Sequence, residues 1–242
     1  MNHNAEEQYK VTETFNASGK CILIVGAGGN WGGHFSLGMP AACGCDAVLV
    51  DLELYCAELE EVARDIKTAG LPVKTEVCYL QKEDLLDRIA LYRKLEASYG
   101  SFASILDVEG IDTVRSFPGS AAIEQKPVVE KEDMKPRYQV GPNDVLPGKT
   151  VLIIGAGGNW GGHMAAGMGL AGQASLVLVD IEERKPAIDG LLAMLGDAVK
   201  AEVCYVSKAQ LSDRYALLAD LQVQYGTFDA VMDLTGINAY FS

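Results

Sequence analysis

One nine-residue string occurs twice in this chain, and it constrains the fold more than any other feature. Gly26–His34 and Gly155–His163 both read G-A-G-G-N-W-G-G-H, 129 positions apart. Extended to Gly19–Asp51 against Gly148–Asp180, the match is 20 identities in 33 positions. A second block, Glu76–Ile111 against Glu202–Ile237, gives 17 identities in 36 at an offset of 126. The three-residue difference falls between the blocks, where a helix and loop can absorb it. Solenoid repeats run to roughly 20–50 residues, so a period this long marks a duplicated domain rather than a stacked array.

Between the copies the composition changes. Pro118, Pro127, Pro136, Pro142 and Pro147 fall among Glu, Lys and Asp. Closely spaced prolines fix φ and remove donors, which disfavours helix and central strand alike. The expected organisation is an arm over 1–18, a first repeat over 19–112, a Pro-rich linker over 113–147 and a second repeat over 148–242. The linker is read as an extended tether, with a strap across the two domains as the alternative.

The 242 residues carry 33 acids against 20 bases, a formal charge of −13. Such a surface repels phosphate backbones and anionic lipid, so no nucleic acid or membrane partner is expected. No apolar run reaches the ~18 residues of a membrane span, and the first twenty residues lack the basic start and apolar stretch of a secretory signal. Six cysteines without a C-x-x-C pair make neither a disulfide nor a zinc framework. A cytoplasmic protein with reduced thiols and no metal is expected.

Each copy alternates strand and helix. Cys21–Val25 is a continuous apolar run, as in a parallel strand buried on both faces. A glycine turn and small-residue helix follow, then a strand over Ala47–Val50. Leu54–Ala69 has helical spacing, Val73–Leu80 reads as strand, Leu85–Tyr99 as helix and Ala103–Leu106 as strand. Copy two repeats the order: Val151–Ile154, Trp160–Ala171, Leu176–Val179, Ala187–Leu195, Ala201–Val206, Leu211–Tyr225 and Ala230–Leu234. Right-handed crossovers then require a parallel sheet covered by helices on both faces.

A glycine turn between strand and helix suits a pyrophosphate. Amide N–H groups at the helix start point outward, the helix dipole adds positive charge, and glycine lets the backbone approach closely. The spacing is G-x-x-G-x-x-G: Gly26, Gly29 and Gly32, then Gly155, Gly158 and Gly161. Gly28, Asn30 and Trp31, with Gly157, Asn159 and Trp160, complete the candidate cofactor cradle. An acid stands about 25 residues beyond each turn at the next strand end, Asp51 and Asp180. A carboxylate there accepts from a ribose diol and repels a 2′-phosphate, favouring NAD over NADP. Arg184 and Lys185 weaken that preference in copy two. The structural alternative for each Asp is a helix cap.

Gly-Lys before an apolar strand, the glycine turn, the strand-end Asp, Tyr-Gly closing a helix and Gly-Ile after the fourth strand resemble the short-chain dehydrogenase/reductase family. Leu211–Ile237 follows that pattern closely. The resemblance covers roughly Gly19–Ile111 and Gly148–Ile237, the family's N-terminal half twice. It implies α/β architecture: tandem Rossmann-like half-domains, each a doubly wound parallel sheet of about four strands in the order 3-2-1-4. The family's N-N-A-G appears as Asp107-Val-Glu-Gly110 and Asp233-Leu-Thr-Gly236. Its adenine-contacting acid is replaced by Gln81 and Ser207, which can still hydrogen-bond a base. None of the thirteen lysines has a Tyr four positions before it, so the family's Tyr-x-x-x-Lys proton donor is missing and the catalytic residues stay unknown.

Other candidates have plainer explanations. His34 and His163 could face cofactor phosphates, but no carboxylate or serine stands ready to complete a triad. Trp31 and Trp160 could stack on a cofactor or cover the sheet. Cys78 and Cys204 read as small core residues, and Cys43-Gly-Cys45 as helix-end packing. Short half-domains leave the fourth strand as an edge, which predicts an intrachain pseudo-dimer or a homo-oligomer. Three functions remain: an NAD(H)-binding oxidoreductase using unconventional acids such as His34, His163, Tyr79 or Tyr205; a non-catalytic nucleotide-binding module; or the product of a rearranged reading frame.

Overall fold

The computed structural model describes residues 17–70, 73–111 and 145–237. Most of the expected linker and most of the N-terminal arm lie outside the described residues. One eight-stranded sheet runs through the molecule in the order β3-β2-β1-β4-β8-β5-β6-β7. Its strands are β1 (Cys21–Val25), β2 (Asp46–Leu52), β3 (Thr75–Leu80), β4 (Ser104–Asp107), β5 (Thr150–Ile154), β6 (Ser175–Ile181), β7 (Ala201–Val206) and β8 (Ala230–Asp233). Neighbours are parallel within β1–β4 and within β5–β8. The single antiparallel pair joins β4 to β8, with Ile105 opposite Asp233 and Asp107 opposite Val231. The strands of one half therefore run opposite to those of the other, and the two glycine turns stand at opposite ends of the sheet.

The helices are α1 (Asn30–Cys43), α2 (Cys56–Thr68), α3 (Arg88–Tyr99), α4 (Asn159–Ala166), α5 (Lys185–Leu195), α6 (Lys208–Ser212) and α7 (Arg214–Tyr225). Two apolar layers sandwich the sheet. On one face Ile22, Ile24 and Leu49 pack with Met39 of α1 and Leu59 of α2, and Ile153 packs with Ile188 of α5. On the other, Leu23, Val25 and Ile105 meet Leu91 and Leu95 of α3, and Leu152 and Val231 meet Leu217 and Leu221 of α7. Every second residue of β1 thus belongs to the opposite layer, so the whole strand is apolar.

Several element ends differ from the sequence expectation. The helix expected from Leu85 starts at Arg88, because Asp87 accepts from Ala90 N at 3.0 Å and caps it. Asp213 does the same for α7 through Ala216 N at 3.2 Å. A side-chain oxygen that satisfies a first-turn amide sets a new helix start even inside a run of helical spacing. Copy two also departs from copy one where α4 ends at Ala166 and a π-helical turn, Gly167–Ala171, follows. The repeat begins earlier than identities reveal: Ala17 N donates to Cys43 O at 2.7 Å and Leu146 N to Gly172 O at 2.5 Å. Neither residue pair matches in sequence, yet the bond is the same.

Candidate functional site

Each glycine turn leaves its strand by the same route. Gly26 N and Ala27 N both donate to Val50 O, at 2.8 and 3.1 Å, and Gly155 N and Ala156 N reach Val179 O in the same way. Gly26 and Gly155 have φ of 81° and 83°, a region where a side chain would be strained. Gly29 and Gly158 occupy the cap positions of α1 and α4 with extended backbone. A Cβ on Gly32 would lie 1.8 Å from Gly26 O, and one on Gly161 2.0 Å from Gly155 O. Only glycine lets the helix sit this closely on its own turn. The crevice beside each turn lies between the carboxyl ends of β1 and β4, and of β5 and β8. There strand order reverses, and Val108 N donates to Val25 O and Leu234 N to Ile154 O, both at 3.0 Å.

The strand-end acids face inward. Asp51 Oδ2 accepts from Gly28 N at 2.8 Å and its Oδ1 from Leu52 N at 2.7 Å. Asp180 repeats this with Gly157 N and Ile181 N, both at 2.8 Å. Relative exposure is 1% for Asp51 and 0% for Asp180. Burial raises the Asp180 carboxyl above the usual carboxylate range, against the lowering effects of its amide donors and Arg184. Neither is a helix cap; each ties the glycine turn to the strand beside it. The start of the next helix closes over them, since a Cβ on Gly28 would meet Leu59 N at 3.1 Å and one on Gly157 would meet Arg184 Cβ at 2.9 Å.

The turns leave no room for a side chain between strand and helix, and the two acids are turned to backbone amides rather than outward. Asn30 and Asn159 open their helices half-buried, and His163 Nδ1 lies 2.8 Å from Asn159 O. Trp31 stacks on Phe35 with ring centres 6.1 Å apart, and both Trp31 and Trp160 pack against the core. Gln81 and Ser207 serve as caps. Gln81 N donates to Asp84 Oδ2 at 3.0 Å while its Nε2 donates to Glu53 Oε2 at 2.6 Å, and Ser207 Oγ accepts from Gln210 N at 3.2 Å. In copy two an open groove lies beside Asp180, lined by Glu182, Glu183, Tyr205, Ser207 and Lys208. Its lysine, Lys208, is engaged by Glu183 at 2.9 Å, and outside the lining Lys185 is engaged by Asp189 at 2.8 Å.

The tyrosines weighed as unconventional acids are poorly tuned for that work. Tyr79 OH donates to Glu60 Oε1 at 2.5 Å, a bond that pushes its pKa up to about 12. Tyr205 is also raised, mainly by burial. Proton transfer is most effective when the pKa lies near the working pH.

Sequence reasoning did not find the polar groups at the centre of the sheet. Asp107 and Asp233, the ends of β4 and β8, are buried. Arg88 Nη1 lies 2.5 Å from Asp107 Oδ1 as a charge contact off the hydrogen-bond line, and Tyr92 OH donates to Asp107 Oδ2 at 2.5 Å. Burial and Asp107 hold the Tyr92 phenol well above its ordinary range. Arg214 pairs with Asp233 and also crosses to the other half, donating to Phe102 O at 3.0 Å and lying 3.3 Å from Glu96. The repeated Asp-Arg spacing was visible in both copies; its burial at the junction was not.

No family model and no curated protein matches the chain. Among solved structures, one provisionally described as a short chain dehydrogenase from Pseudomonas syringae is similar over 90% of this chain and 87% of its own, with 15% identity and a TM-score of 0.31. A likeness that distant carries no assignment. Among the described residues, no helix is long and apolar enough to cross a membrane.

Proposed function

We propose that this chain is an NAD(H)-binding protein of the short-chain dehydrogenase/reductase type. The observation that carries the reading is the strand–glycine turn–helix unit at a strand-order switch, where only glycine fits between helix and turn. Open α/β sheets bind ligands in such crevices, with phosphates at the helix start. NAD is favoured over NADP because Glu182 and Glu183 border the groove beside Asp180, and its one lining lysine, Lys208, is already paired with Glu183. When bound, the dinucleotide would supply a hydride-carrying ring; the glycine turns would hold its phosphates.

A second reading, a non-catalytic nucleotide-binding module, is favoured by the neighbour of β4. The family this chain resembles continues there with a further parallel strand and its Tyr-x-x-x-Lys. Here the position is filled by antiparallel β8.

Calorimetric titration of the purified chain with NADH, NADPH and ADP tests the proposal. Saturable NADH binding, with NADPH at least tenfold weaker, is the expected result. Val at Gly29 and Gly158 together would put branched side chains against the phosphates while keeping an allowed backbone, and NADH binding should be lost. Unchanged affinity in that double variant would remove the site assignment. Absence of binding by all three ligands would remove the function.

A further inference from the structure

The loop that follows β8 is built against the other half of the molecule. Leu234 N donates to Ile154 O at 3.0 Å, so Leu234–Gly236 borders the crevice at the carboxyl ends of β5 and β8. The strands of the first half run the opposite way, and the starts of β1 and β4 therefore lie at this same end of the sheet. Three first-half residues hold the loop and the strand end before it. A Cβ on Gly236 would stand 2.0 Å from Ala103 O, Ser104 Oγ donates to Asp233 O at 2.6 Å, and Lys20 Nζ donates to Gly236 O.

Lys20 is the charged one among them. It stands exposed just before β1, and among the described residues no carboxylate pairs with its ammonium. Its counterpart Lys149 is neutralised by Asp229 at 2.9 Å, whereas the position equivalent to Asp229 in the first half is Ala103, which carries no acid. An ammonium has three N–H donors, and the Gly236 carbonyl takes one. Two donors and a positive charge remain on the β8 side of the crevice. A dinucleotide in an open α/β sheet lies across the switch point, with its phosphates at the helix start. With phosphates at Gly155–Gly161 and the adenosine end on the β6 side, the remaining nucleoside would cross towards β8 and the loop that Lys20 holds.

We propose that Lys20, a residue of the first half, completes the second crevice as a cationic donor to the nucleoside beyond the phosphates, so that this site exists only when the two halves are docked. This deepens the dinucleotide-binding reading above and rests on it. Its test is calorimetric titration of the full chain with NADH and with ADP, which ends at the second phosphate, in a Gly29→Val background that leaves the second turn to bind. Loss of a charged hydrogen bond corresponds to about tenfold in affinity, so Lys20→Met should weaken NADH by about that factor and leave ADP within about twofold. Lys20→Arg, which keeps a cation at the position, should restore NADH, and urea midpoints read any loosening of the junction separately. NADH affinity unchanged in Lys20→Met, or NADH and ADP weakened alike, would overturn the role of Lys20 and leave dinucleotide binding standing. NADH uptake by the wild type but none in the Gly29→Val background would place binding at the first turn and overturn the proposal. No NADH uptake by the wild type would remove both readings.

Discussion

The two copies share a backbone plan and spend their polar groups differently. In the first, Asp107 is satisfied from within its own half, by Arg88 and Tyr92. In the second, Asp233 is held by Thr235 and by Arg214, whose guanidinium also grips Phe102 O and approaches Glu96 in the first half. The lysine before each first strand diverges too: Lys149 pairs with Asp229 of its own half at 2.9 Å, whereas Lys20, facing Ala103 in place of that acid, donates to Gly236 O across the junction. Duplicated sequence thus yields equal strands and unequal contacts, because the antiparallel β4–β8 junction brings different residues to each side. Each half thus reaches across the junction with different groups, the first with Lys20 and Ser104, the second with Arg214.

Arginine replacement should break this comparison most visibly. Arg214→Ala would leave Asp233 buried without its cation and free the carbonyls it holds, a loss of about 3–5 kcal/mol. Arg88→Ala should cost clearly less, since each carboxylate keeps a hydroxyl donor and only Arg214 also holds Phe102 O and Glu96 across the junction. Urea unfolding of both variants measures the difference, and equal losses would contradict the asymmetry. Next in size, Tyr92→Phe removes the hydroxyl from a buried carboxylate and should cost roughly 1–3 kcal/mol. The same unfolding measurement should find Leu218→Ala losing stability through packing alone, with no change in its pH dependence.

The pH dependence of Asp180 gives a smaller effect of fixed sign. Its folded pKa is raised by burial, so the folded state favours the neutral carboxyl relative to the unfolded chain at about 3.9. Its contribution is therefore most favourable below about pH 3.9 and is lost as pH rises through the higher folded value. The stability of the wild type relative to Asp180→Asn, followed by urea unfolding from about pH 3 to about pH 6, should decline. A rising difference would show that the amide donors from Gly157 and Ile181 outweigh burial.

Smallest is the turn after the first helix of each copy. Gly44 ends α1 at φ 65°, and its counterpart Gln173 adopts φ 60°, the one non-glycine residue with positive φ among those described. A side chain in that region costs about 1–2 kcal/mol, and Gln173→Gly should recover about 1 kcal/mol as a higher Tm. Gly44→Gln should lower it by a similar amount.

The glycine turns could be read directly from the sequence because their geometry is local. Gly32 and Gly161 must be glycine for the helix to meet its own turn, whatever surrounds them. The caps Asp87 and Asp213 were equally local, but they lay inside runs whose apolar spacing read as continuous helix. Asp51 and Asp180 show the limit. Their position at the strand end was legible, and whether the carboxylate faces a ribose or the Gly28 and Gly157 amides depended on where the next helix starts. Gln81 and Ser207, expected near a base, are engaged by neighbours instead, the Gln81 amide by Glu53 and the Ser207 hydroxyl by the Gln210 N–H three residues on.

The sequence by itself determined the duplication, the alternation of strand and helix and the place of the two turns. These follow from residue identity and from periodicities of 2 and 3.6 that act over a few neighbours. The tertiary structure alone decided that β4 meets β8 antiparallel and that Arg214 rather than Arg88 spans the junction. Each depends on residues over a hundred positions apart being brought into contact by the docking of one half on the other. No local pattern encodes that approach, since buried charge is placed by the partners that compensate it.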